Sequence, residues 1–177
     1  MLTKLLAVNI ALIVLLLTPR AVNAPEANYE AVERQIKERD ALRAFLKSYG
    51  SSEVAMDNRL ANCFVVQSSR FGFDSSLLPC IAKAESSVGK FYIRKTNNIW
   101  GFGHGLIAFD SFCAGVVEVG KTIATDKVYK AWQEDKGNLW KLAYVFKGVP
   151  PYEKWVYTVK ECMEEIEKNE KRPRTKI

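Results

Sequence analysis

Four widely spaced cysteines, Cys63, Cys80, Cys113 and Cys162, lie downstream of an N-terminal segment that reads as an export signal. Lys4 precedes an apolar run from Leu5 to Leu17, broken only by Asn9 and closed by Thr18-Pro19-Arg20. The run is shorter than the ~20 residues a membrane span needs and fits the core of a signal peptide. Val22-Asn23-Ala24 has the small-residue cleavage pattern, although Pro25 directly after it disfavours processing there. Residues 1–24 are therefore read as a signal peptide or, uncleaved, as a membrane anchor. In an oxidising compartment an even cysteine count predicts two disulfides, with three connectivities that the sequence does not rank. Four buried thiols are the alternative.

The rest of the composition narrows the chemistry. The chain has 177 residues, 48% hydrophobic, 26% charged and 11% aromatic, which are globular values for a single domain with an appendage. One histidine, His104, and no paired C-x-x-C argue against a conventional zinc site, and neither a metal nor a cofactor is expected. Lys and Arg total 26 against 20 Asp and Glu. Loss of residues 1–24 removes Lys4 and Arg20 and leaves a balance of +4. That charge is too small and too dispersed for nucleic acid. A monomer is expected.

Periodicity predicts a mainly α chain. Residues 28–48 carry Val32, Ile36, Leu42 and Leu46 among dense mixed charge, an amphipathic helix within an arm over 25–52. A helix from about Glu53 to Ser69 follows. The next, capped by Asp74 or Ser75, extends to Gly89, a natural C-terminal stop. Three further helical segments lie near 111–124, 138–147 and 152–168, and a basic tail occupies 169–177. Between Lys90 and Phe109 the periodicity is lost, and Asn97-Asn98 with Gly101, Gly103 and Gly105 mark an irregular or small β region.

Helix geometry singles out Glu85. At 100° per residue from Leu77, Ile81 falls at about 40°, Leu78 at about 100° and Glu85 at about 80°, inside the apolar face. A carboxylate pointing into apolar surroundings has its pKa raised by desolvation, and a carboxylic acid still protonated near neutrality suits general acid catalysis. A structural ion pair, or escape to water at the helix end, is the other reading. Glu118 falls on the polar side of its helix, and Asp110, at that helix's start, reads as a cap. The loop after Glu85 offers Phe91, Tyr92, Trp100 and Phe102 beside Asn97 and Asn98, flat platforms next to amide groups such as a saccharide uses, and no second carboxylate. His104 reads as an exposed loop residue.

These residues resemble a known family. Leu77 to Lys90, with Glu85-Ser86-Ser87-Val88-Gly89, resembles the E-S-x-x-G catalytic helix of the lysozyme-like superfamily, as in soluble lytic transglycosylases and bacterial endo-β-N-acetylglucosaminidases. Asn97-Asn98-Ile99-Trp100-Gly101-Phe102-Gly103 is similar to the segment after the catalytic Glu in glucosaminidase-like members. Leu142 to Gly148 resembles the L-A-A-Y-N-A-G helix of transglycosylases, and Tyr152 to Ile166 their closing helix. The G-L-M-Q element of typical transglycosylases is absent, and Val145 stands where those have Asn. The resemblance covers roughly residues 55–168 and implies a lysozyme-like domain over 53–168 that cuts the β-1,4 glycan strands of peptidoglycan. Glu85 would be the catalytic acid and Tyr144 would approach it or the bound sugar. Ser86, Asn97, Asn98, Trp100 and Phe102 would bind substrate. A non-catalytic cell-wall binding module, and a scaffold acting on the membrane or envelope through its N-terminal helix, remain the alternatives.

Overall fold

A computed structural model describes residues 24–172, and side chains from 28 onward. The expected signal segment, up to residue 23, and the last five residues of the basic tail lie outside the described residues. Two compact units are distinguished, Met1–Arg34 and Gln35–Ile177. The first contributes only the beginning of one helix to the described residues.

The chain is mainly α. Its helices are α1 (Ala24–Tyr49), α2 (Ser52–Met56), α3 (Leu60–Phe71), α4 (Leu77–Ser86), α5 (Phe112–Thr125), α6 (Lys130–Gln133), α7 (Leu139–Phe146) and α8 (Glu153–Glu170). Single 3-10 turns lie at Arg94–Thr96 and Lys127–Tyr129. No strand forms among the described residues, so the stretch after α4 is irregular rather than β.

Three local readings are corrected. The helix expected from Glu53 to Ser69 is broken into α2 and α3, because the Asp57 carboxylate accepts from the Arg59 amide at 3.0 Å and turns the chain. The cap of α5 is Ser111, whose Oγ accepts from the Ala114 amide at 3.1 Å, and not Asp110. The N-cap of α4 is Ser76, neither Asp74 nor Ser75, and the helix ends at Ser86 short of Gly89, although Asp74 accepts from the Ser76 amide at 2.8 Å in the turn that leads in. Pro79 sits in the first turn of that helix, where a missing N–H costs little.

The core gathers one face of every long helix. Ala41, Leu42, Phe45 and Leu46 are buried, so the C-terminal half of the expected arm belongs to this core. Helix α4 packs against α8, α3 against α5, and α7 against α8. Trp100 is fully buried at the centre, edge-on to Phe64 and Phe109, with its Nε1 donating to the Leu78 carbonyl at 3.0 Å. Its seat requires Gly115, since a Cβ there would collide with the Trp100 ring.

Two disulfides fix these contacts. Cys80–Cys162 ties α4 to α8 and Cys63–Cys113 ties α3 to α5, across 82 and 50 residues of chain. Such bonds belong to an oxidising compartment. No helix among the described residues is long and apolar enough to cross a membrane. Closing loops of this length restricts the unfolded chain by roughly 4 kcal/mol per bond in the chain-entropy account. Mass spectrometry of an unreduced digest should therefore recover Cys63 linked to Cys113 and Cys80 linked to Cys162. The paired replacement Cys80→Ser with Cys162→Ser should lower unfolding free energy by about 2–5 kcal/mol in urea melts. Any other linkage pattern contradicts this arrangement of helices.

Candidate active site

The last turn of α4 carries Glu85, and the backbone beyond it is tightly constrained. Ser87 and Val88 adopt φ of 51° and 57°, a region that costs a β-branched side chain about 1–3 kcal/mol. Val88 is buried, its amide donates to the Ala82 carbonyl at 3.0 Å, and its carbonyl accepts from the Ser51 amide at 3.0 Å. The neighbouring hydroxyl completes the turn. Ser86 Oγ donates to the Ile99 carbonyl at 2.6 Å and accepts from the Gly89 amide at 2.9 Å. The helix end is thereby pinned to the loop across from it.

Glu85 is half-buried. Its Oε1 accepts from the Trp155 indole Nε1 of α8 at 2.7 Å, and its Oε2 lies 3.1 Å from where a Cβ of Gly101 would stand. Gly101, at φ 64°, lets the loop pass directly over the carboxylate, and any side chain there would press on it. Burial pushes the Glu85 carboxyl above its usual value, against the lowering effects of the Trp155 hydrogen bond and the Lys147 ammonium. The hydrogen-bond partner is a neutral indole, so this is no buried ion pair.

In front of the carboxyl opens a cleft of about 1060 Å³. One wall is the loop with Phe91, Tyr92 and Phe102, and the other is Val145-Phe146-Lys147-Gly148 at the end of α7. Phe102 faces Phe146 with ring centroids 6.4 Å apart, and Phe146 faces Trp155 at 6.0 Å, an aromatic floor beside Glu85. Among the described residues of this wall Glu85 is the one acid, in the company of Lys90, His104 and Lys147. Glu118, as its helical position implies, is exposed.

The sequence-predicted residues fall into two groups. Glu85 and Phe102 face the cleft as expected. Ser86 and Asn98 also line the cleft, but their side-chain hydrogen bonds, like that of Asn97, hold its walls in place. Asn98 is buried, its Nδ2 donates to the Phe102 and Ile107 carbonyls at 2.7 and 3.0 Å, and its Oδ1 accepts from the Phe102 amide at 3.0 Å. Asn97 Nδ2 donates to the Phe109 carbonyl at 2.8 Å. Trp100 and Tyr144 are corrections. Trp100 is interior and has no surface to offer a ligand, and Tyr144 turns outward, leaving its successors Val145 to Lys147 as the wall.

Three site residues escaped sequence reasoning: Trp155, Phe146 and Lys147. A signal existed for the first. Trp155 begins the apolar stripe Trp155, Val159, Cys162, Ile166, and a buried indole N–H needs an acceptor. Searches of protein-family models, curated proteins and solved structures found no match to this chain.

Trp155→Phe keeps a ring beside Phe146 and removes the donor to Glu85. Loss of that bond takes away a force that favours the charged carboxylate, so the Glu85 midpoint should move further upward, as read by NMR of carboxyl-labelled glutamate. An unchanged or lower midpoint contradicts the geometry described.

Proposed function

We propose that this chain cleaves the β-1,4 glycan strand of peptidoglycan between N-acetylmuramic acid and N-acetylglucosamine, with Glu85 as general acid and then base. What carries the reading is a half-buried, desolvated carboxyl at the bottom of an aromatic-walled cleft, held by a neutral donor. The order of motifs that resembles the lysozyme-like superfamily supports it. The domain is then a lysozyme-like glycosidase, exported and acting in the periplasm or cell wall, free or anchored by an uncleaved N-terminal segment. Its partner is the glycan strand, and neither cofactor nor nucleic acid is invoked.

The chemistry follows from one acid. Protonated Glu85 gives its proton to the glycosidic oxygen as the C1–O bond breaks and the sugar gains oxocarbenium character. Among the described residues the cleft wall supplies no second carboxylate to serve as nucleophile. The oxygen of the substrate's own N-acetyl group takes that part by bonding to C1, the substrate-assisted route. Glu85, now a carboxylate, removes a proton from water, giving hydrolysis, or from the muramyl 6-hydroxyl, giving an anhydro ring.

Incubation with purified sacculi tests this. Wild type should release new reducing ends or 1,6-anhydromuramic acid, distinguished by mass, and Glu85→Gln should lower the rate about 10²–10⁴-fold. Sedimentation with sacculi without any release would instead make the chain a binding module. The sign of the pH dependence is set as well. The acid must carry its proton, so activity should fall as pH rises through the raised Glu85 midpoint, and Trp155→Phe should displace that alkaline limb upward.

A further inference from the structure

Helices α7 and α8 turn a set of aromatic side chains away from the cleft and into solvent. Trp140 is 46% exposed, Tyr144 69% and Tyr157 57%, whereas Trp100, Trp132 and Trp155 are buried. These rings are ordered in two rungs. Trp140 meets Tyr157 edge-on with centroids 6.5 Å apart, and Tyr144 meets Tyr152 edge-on at 6.1 Å. Trp140 and Tyr144 are four residues apart on α7, so the rungs follow one another at about the 5.4 Å of one helical turn.

Burial in the fold does not explain them. Tyr152 is half-buried against the core, but a monomer gains nothing from the other three rings, Trp140, Tyr144 and Tyr157, held at its surface, and exposed aromatic patches with a polar rim mark binding sites. The rim is present here. Beside Trp140 runs a groove of about 450 Å³ lined by Asp135, Asn138, Val156 and Lys160. Asp135 accepts from Asn138 Nδ2 at 3.2 Å and from Lys141 Nζ at 2.8 Å, an exposed polar cluster whose bonds exchange readily with hydroxyl groups. Flat rings next to amide, carboxylate and ammonium groups are the surface that a sugar chain uses, with ring faces on C–H groups and polar atoms on hydroxyls.

The position of this face selects the occupant. Tyr144 stands immediately before Val145, where the cleft wall begins, so the ridge starts where the cleft ends. We infer that the outer face of α7 and α8 is a second saccharide-binding surface, which holds the length of glycan strand leaving the cleft past Val145–Gly148. This rests on the proposed reading of the cleft in its choice of glycan.

The four tryptophans allow the two sites to be read separately. Trp155 reports the cleft through its bond to Glu85, and Trp140 reports the ridge. The full chain with Glu85→Gln, which leaves strands uncut, is labelled with ¹⁵N-tryptophan. It is then titrated with soluble glycan strands stripped of their peptides and with the corresponding disaccharide. Long strands should shift both indole signals, and the disaccharide that of Trp155 alone. Trp140→Ala and Tyr157→Ala, each added separately, should weaken long-strand binding about tenfold and leave disaccharide binding unchanged.

A Trp155 signal that responds while Trp140 stays silent overturns the ridge and leaves the cleft reading standing. The reverse pattern supports the ridge and removes the cleft reading. Silence of both removes both. A Trp140 signal that moves with phosphatidylglycerol vesicles and not with glycan makes the face a membrane surface and overturns the inference. So does a dimer in sedimentation velocity that disappears in Trp140→Ala.

Discussion

A single hydrogen bond, from the Trp155 indole to Oε1 of Glu85, organises the site, and the fold is arranged to keep its two ends in register. Donor and acceptor sit on helices that pack face to face, and Cys80–Cys162 bridges those same helices. On the far side of α4, Lys83 lies 4.2 Å from the centre of the Tyr49 ring and 3.2 Å from Glu165 Oε2, while Tyr49 donates to Glu165 Oε1 at 2.8 Å. That network joins α1, α4 and α8 at the residue two before Glu85. Its ion pair is partly exposed and contributes little on its own. Its role is angular: it limits rotation of α4 about its axis, and a small rotation would carry the carboxyl away from the indole.

Local pattern located the acid, and long-range pairing located everything that acts on it. The placement of Glu85 between Ile81 and Leu78 on an apolar face needs only the 3.6-residue repeat, and it survives in a half-buried carboxyl with a raised midpoint. Helices α4, α5, α7 and α8 were legible for the same reason, as was the irregular stretch where the repeat stops, whereas α6, a single turn over Lys130–Gln133, is too short to show a repeat. The break at Asp57–Arg59 was not, because a side-chain-to-amide bond over two residues leaves the apolar spacing on either side intact. Cysteine pairing was equally closed, since four cysteines in a row say nothing about which helices meet.

The loop over Glu85 teaches a second lesson about aromatic and amide residues. Trp100, Asn97, Asn98 and Ser86 have the side chains of a sugar-binding loop, and a sequence offers no way to see that their hydrogen bonds are already used. A stretch without regular structure leaves its own carbonyls and amides unpaired, and those groups must be satisfied wherever the stretch is buried. Asn98 meets three of these demands and Ser86 two more at the junction with α4. Residues suited to bind a ligand were instead consumed in building the wall. The aromatic face the cleft retains comes from Phe91, Tyr92 and Phe102 of that loop and from Phe146, which no local motif distinguishes from core.

Opposed effects set the charge of Glu85, and they respond differently when the cleft is filled. Burial raises its midpoint, whereas the indole bond and the Lys147 ammonium lower it. The indole bond is fixed by the packing of α4 on α8. The lysine is also tethered, its Nζ donating to the Val149 carbonyl at 2.6 Å, so it cannot swing in to form a full ion pair without giving up that bond. Water is the component free to change. A sugar that displaces it from the aromatic floor between Phe102 and Phe146 deepens the desolvation of the carboxyl, the largest of these influences, while the two lowering groups stay where they are. On the proposed reading, binding of the glycan therefore secures the proton that its cleavage requires, and an empty cleft leaves the acid nearer to ionisation.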